Sequence, residues 1–150
     1  MPGLINGVVV TDLKLLVNER GRLLELQRCD DPTFPGFGQV YMTQSFNGVV
    51  KAWYRHKLQI DQIAAIIGLV KLVLYDDREN STTKGCLQEV MMGELIPRLV
   101  VVPPMVWHGF KAVGDTSAFL LHLNNRPYDF GLPDEDRIQG NRTKQYPLTA

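Results

Sequence analysis

Nine short β-rich runs, each closed by a turn signal, leave this chain almost no room for a helix. They are residues 7–10, 23–27, 40–43, 49–54, 63–67, 70–75, 87–91, 99–102 and 118–123. Glu19-Arg20-Gly21, Phe46-Asn47-Gly48, Asn80-Ser81, Met92-Gly93-Glu94 and Val113-Gly114-Asp115 punctuate them. Many short strands at close spacing predict an all-β sandwich, jelly roll or barrel. Only residues 12–17 and 60–66 carry a trace of helical periodicity. The run Ile63-Ala64-Ala65-Ile66-Ile67 reads better as a strand buried on both faces.

A length of 150 residues with 45% hydrophobic and 21% charged residues fits one soluble globular domain. Sixteen basic residues balance sixteen acidic ones, which argues against nucleic acid or an anionic membrane as partner. No apolar run reaches membrane-spanning length, and the first residues lack a charged segment and a long enough apolar core for a signal peptide. Cys29 and Cys86 have no metal or redox spacing, so both are expected reduced, in the cytoplasm. From Tyr128 the chain turns rich in charge, Pro and Gly, as a surface tail would.

The chemistry concentrates in VVKAWYRHKLQID, residues 49–61. Strict alternation places Ala52, Tyr54 and His56 on one strand face and Lys51, Trp53 and Arg55 on the other. Far downstream, Pro103-Pro104-Met105-Val106-Trp107-His108-Gly109-Phe110 starts a strand with a second inward imidazole. Asp61 reads as a partner for Lys57 or Lys71, or as a structural acceptor. Residues 76–79 read as a solvated turn, and His122 as a strand residue without duty. Trp53 and Trp107 read as core that flanks the site's mouth, and Arg20 with Glu25 as a cross-strand ion pair.

Gly48, Tyr54, His56, Asp61 and Gly68 carry the spacing of the first cupin motif, and Pro103 to His108 that of the second, with Met105 in the glycine position. Further out, the chain resembles the dTDP-4-dehydrorhamnose 3,5-epimerase family over about residues 7–138. Arg20-Gly21 to Glu25 is similar to that family's Arg-Gly-x-Phe-x-Glu. Phe37-Gly38-Gln39 is similar to its Phe-x-Gln, and residues 48–54 to Gly-Val-Leu-Arg-Gly-Leu-His. Residues 76–83 resemble Asp-x-Arg-x-x-Ser-Pro-Thr, residues 107–110 its His-Gly-Phe segment, and Tyr128 with Pro133 a Tyr-x-Pro segment.

The resemblance implies a cupin jelly-roll sandwich closed into a small barrel over residues 1–138, with a tail at 139–150. It implies no cofactor, a nucleotide-linked 4-keto-6-deoxysugar as substrate, and a homodimer that pairs N-terminal strands with the partner's sheet. In that arrangement Arg20 and Glu25 approach the neighbouring pocket. The family removes a proton beside the ketone and returns one to the other face. Here Tyr54 replaces its histidine base, Leu121 its tyrosine acid, Asp61 its lysine, and Lys51 its arginine. His56, Tyr54 and His108 are therefore the catalytic candidates, His56 as base and Tyr54 as acid. Arg20, Glu25, Gln39, Lys51 and Gln59 are the substrate-binding candidates. Two alternatives stay open: a sugar-nucleotide-binding protein without turnover, and a metal-dependent cupin using His56, Asp61 and His108.

Overall fold

A computed structural model describes residues 4–138. Twelve strands form: β1 (Val9–Asp12), β2 (Leu15–Asn18), β3 (Gly21–Leu24), β4 (Gln39–Ser45), β5 (Val50–His56), β6 (Asp61–Ile67), β7 (Leu69–Tyr75), β8 (Leu87–Gly93), β9 (Arg98–Val102), β10 (Trp107–Ala112), β11 (Ala118–Asn124) and β12 (Glu135–Arg137). There is no helix among the described residues, and thus none long and apolar enough to cross a membrane. The helical trace at 12–17 resolves into the end of β1, a turn and β2, and that at 60–66 into β6.

Ten strands make two antiparallel five-stranded sheets, ordered β1-β9-β6-β11-β4 and β12-β5-β10-β7-β8. The expected closure into a barrel is absent, because the two sheets share no ladder. The layers face each other as a jelly-roll sandwich. Alternate residues from both fill the space between: Ile63 and Ala65 of β6, Leu72 and Leu74 of β7, Val100 and Val102 of β9, Phe110 of β10 and Leu120 of β11. Strand β6 is buried on both faces along most of its length, as its sequence predicts. Gln27 donates a hydrogen bond to Gln62 on the outer face, so the segment after β3 covers that side.

On the outer face of the second sheet, Trp53, Val73 and Trp107 form a small core of their own. Arg55 lies 4.5 Å over the Trp107 ring and holds Asp77 and Asp136, while the Trp107 indole donates to Asp77 at 2.9 Å. This network fastens β12 to β5, where Glu135, Asp136 and Arg137 pair with His56, Arg55 and Tyr54. The stretch expected to drape as a tail from Tyr128 therefore completes a sheet through residue 137. The expected tail at 139–150 lies outside the described residues.

Residues 76–79 correct another expectation. Asp76 is fully buried, and Arg78, Ser81 and Thr83 all donate to its carboxylate. Burial raises its pKa, but these donors outweigh that and hold it far below the usual carboxylate range. Arg20 and Glu25 do not pair with each other: their ionic neighbours are Glu19 and Arg28, each at 3.9 Å. Cys29 and Cys86 are free.

Candidate active site

Between the sheets, the apolar core gives way to a polar cluster centred on one carboxylate. Asp61 is 0% exposed. Its Oδ2 lies 3.3 Å from His108 Nε2 and 3.8 Å from His56 Nε2, and its Oδ1 lies 3.6 Å from His122 Nδ1. Neither Lys57 nor Lys71 is its partner: Lys57 turns to Asp136 and Lys71 to Glu89, each at 3.5 Å. Four distant stretches of sequence meet here because β5, β6, β10 and β11 each aim one side chain into the same space.

Backbone carbonyls fix two of the imidazoles. His108 Nδ1 lies 3.0 Å from Val106 O, and His56 Nδ1 lies 3.2 Å from Asp134 O. A carbonyl only accepts, so both Nδ1 atoms carry hydrogen and both Nε2 atoms turn to Asp61. Burial drives the Asp61 carboxyl up, but His108, His122 and His56 outweigh it and hold it well below its ordinary value. Burial would lower the His56 imidazole. The carboxylate of Asp61 nearby, with the Asp134 carbonyl and Glu135, raises it above 6.5 instead. Tyr54, whose ring meets His108 at 4.4 Å, is pushed well above 10 by burial and then by Asp61.

Asp134 also organises the turn after β5. Its carboxylate accepts from the backbone N–H of Lys57, Leu58 and Gln59. From the other side, Met105 N–H donates to His56 O at 2.7 Å. Met105 has a φ of 67°, in the left-handed region that its motif fills with glycine.

A cavity of about 600 Å³ opens beside the cluster, lined by Tyr41, Thr43, Lys51, Tyr54, His56, Phe110, His122, Glu135 and Arg137 among others. Lys51 thus shares the space with Tyr54 and His56, against strict alternation. The cause is an irregular register: His108 pairs with Tyr54 but Phe110 with Lys51, so β5 spends an extra residue. Lys51 Nζ donates to Gln44 O at 2.9 Å at the rim. A second cavity of about 370 Å³ shares His56 and Glu135 with the first and is lined by Gln59, Arg126, Tyr128 and Leu132.

Of the candidates, Tyr54, His56, His108 and Lys51 come together, and Gln59 lines the neighbouring cavity. Gln39 lies at the sheet edge, where its Oε1 accepts from Tyr128 N–H at 2.8 Å. Arg20 and Glu25 are exposed and line neither of these two cavities; each borders a separate surface hollow instead. The metal candidates His56, Asp61 and His108 each offer a donor atom within 4.8 Å of the others. Sequence reasoning missed His122, Glu135 and Arg137. On β11 residues 118, 120, 122 and 124 are buried in alternation, so His122 faces in and Leu121 does not. That alternation was the available signal.

The dTDP-4-dehydrorhamnose 3,5-epimerase family description matches residues 3–140. The chain is 38% identical to the probable low-salt glycan biosynthesis epimerase of Haloferax volcanii, covering 89% of this chain and 87% of that one. It is 37% identical to the spore coat polysaccharide biosynthesis protein SpsL of Bacillus subtilis, covering 90% and 89%. Among solved structures, a dTDP sugar isomerase from Desulfovibrio desulfuricans superposes with a TM-score of 0.85 at 36% identity, over 90% of this chain and 85% of that one. Matched along nearly its whole length, with relatives more than a third identical, the chain belongs to the dTDP-4-dehydrorhamnose 3,5-epimerase family.

Proposed function

We propose that this protein is an epimerase of a nucleotide-activated 4-keto-6-deoxysugar, serving surface-polysaccharide or glycan synthesis in the cytoplasm. The observation that carries it is the placement of His56. Its Nδ1 is tied to the Asp134 carbonyl and its Nε2 is buried without a hydrogen-bond partner, beside a cavity of sugar size. Such a ring takes a proton from the carbon next to the ketone, and Asp61 stabilises the resulting imidazolium. Lys51, on the same wall, supplies positive charge for the enolate oxygen. His108 holds Asp61 in place, and Gln59 borders the adjoining cavity that receives the rest of the substrate. Tyr54 packs on His108 and shapes the floor. Its raised pKa suits a neutral hydrogen-bond donor rather than a base.

The assembly we propose is a homodimer. The hairpin β2–β3 pairs only with itself among the described residues and exposes Leu16, Val17 and Leu23. The edge strand β4 exposes Val40 and Met42, with Phe37 and Phe46 beside it. Exchange of hairpins would cover both surfaces and bring Arg20 and Glu25 to the partner's pocket.

The test is solvent exchange followed by NMR. The protein, with its metal content measured, is incubated in D2O with dTDP-4-keto-6-deoxyglucose. Deuterium enters carbon 3 or 5, and His56→Ala abolishes this. Absence of exchange while the nucleotide still binds would make the protein a sugar-nucleotide-binding module instead. A stoichiometric metal in the purified protein would move the reading to metal-assisted chemistry.

A further inference from the structure

Epimerisation sets a geometric demand that His56 alone does not meet. A proton leaves one face of the sugar carbon and another arrives at the opposite face. His56, Tyr54 and Lys51 all reach the cavity from β5, so all three stand on one wall. The opposite wall belongs to the other sheet, where β4 and β11 contribute Tyr41, Thr43 and His122.

We propose that His122 is the second proton-transfer group, delivering a proton to the sugar carbon from the side opposite His56. This rests on the epimerase reading above and deepens it. His122 is 2% exposed, and neither ring nitrogen has a hydrogen-bond partner within the described protein. Tyr41 stacks on its ring at 4.6 Å and 11°, which fixes the plane of the imidazole. Asp61 stands between the two histidines with one oxygen towards each, Oδ2 towards His56 and Oδ1 towards His122. A shared carboxylate stabilises whichever ring carries the extra proton. The other groups on this wall serve poorly. The Thr43 hydroxyl does not release a proton at neutral pH. Burial, then the charge of Asp61, raises the Tyr41 phenol far above its usual value.

The step balances. The C–H bond beside the ketone breaks, its proton goes to His56 Nε2, and its electron pair forms an enolate. Protonated His122 then gives a ring N–H proton to the opposite face of the same carbon. The enolate electrons form the new C–H bond and the ketone returns. His56 ends protonated and His122 neutral, and exchange with solvent resets both.

A single turnover with the wild-type protein in excess, in D2O with dTDP-4-keto-6-deoxyglucose, tests this without any substitution. Two groups on opposite walls predict deuterium at the inverted carbon in at least about nine-tenths of the product, while unconverted substrate keeps its protium. Protium retained in the inverted product would mean one group serves both faces and would overturn the role of His122. A second arm uses His122→Gln, with dTDP binding measured to verify the pocket. Inversion falls at least about 100-fold, while deuterium enters the same carbon without inversion at a rate within about 10-fold of wild type. Exchange and inversion that fall together, or survive together, would also overturn the assignment. Wild-type protein that binds dTDP but gives neither exchange nor epimer would overturn the epimerase reading itself, and this assignment with it.

Discussion

Asp61→Asn keeps the shape of one side chain and removes the charge that three imidazoles face. The burial that lowers His56 is then opposed only by the Asp134 carbonyl and Glu135, so its pKa falls below its wild-type value; NMR titration of the histidine ring protons measures this. Stability falls by about 3–5 kcal/mol, the range for breaking a buried ion pair by removing one partner, and chemical denaturation measures it. In the wild type the two groups act at opposite ends of the pH scale. His56 has a raised folded pKa, so its contribution is complete below 6.5 and fades as pH rises through the folded value. Asp61 has a depressed one, so its contribution is complete above 3.8 and is lost only as pH falls well below that. Denaturation at pH values of roughly 6 to 8 therefore yields falling stability in the wild type and a flatter profile in His56→Gln. Sequence motifs brought His56, Asp61 and His108 together as candidate metal ligands, but left His122 out of the group and gave Asp61 a lysine as its first partner. Spacing along a chain carries no information on which of two lysines or three histidines a carboxylate meets across a sandwich.

Among the strands, β10 lies against β5 at a single tight point. A Cβ on Gly109 would sit 2.4 Å from Ala52 Cβ and 2.9 Å from both Ala52 Cα and Lys51 O. Gly109→Ala therefore forces β5 away from β10 and moves Lys51, Tyr54 and His56 together. The expected cost is about 1–3 kcal/mol, seen as a lower Tm, with activity reduced more than stability. Adding Ala52→Gly recovers part of both, since it removes the closest atom. Most strands were legible because alternation and turn residues are local signals. The face of Lys51 was not, because the extra residue in β5 arises only from pairing with β10. Strand β12 was hidden for a related reason. Its Glu-Asp-Arg composition resembles a tail, and contacts far apart in sequence fasten it as a strand: Arg55 and Lys57 to Asp136, and Asp134 to the turn after β5.

For the molecule as a whole, the exposed apolar residues of the β2–β3 hairpin and the β4 edge predict a dimer in light-scattering measurements. Leu16→Asp with Leu23→Asp shifts it towards monomer. Arg20→Ala leaves the Tm within about 2 °C, since an exposed side chain contributes little to folding, yet weakens nucleotide binding about tenfold if Arg20 serves the partner's pocket. A calorimetric Kd unchanged by Arg20→Ala would place the hairpin outside the site. The motifs told of the sandwich, and the homodimer with Arg20 and Glu25 at the partner's pocket came only from the family resemblance, because no pattern within one chain reveals what its edge meets.

The sharing of Asp61 among His56, His108 and His122 also constrains how such a site drifts. Replacing one member leaves the other three arranged around a lost proton or charge, so single changes carry costs that paired changes do not. Substitutions within the quartet are expected to be strongly non-additive, in contrast to those at the separate Asp76–Arg78 cluster. The four positions are then expected to change as one block, even though each is written on a different strand.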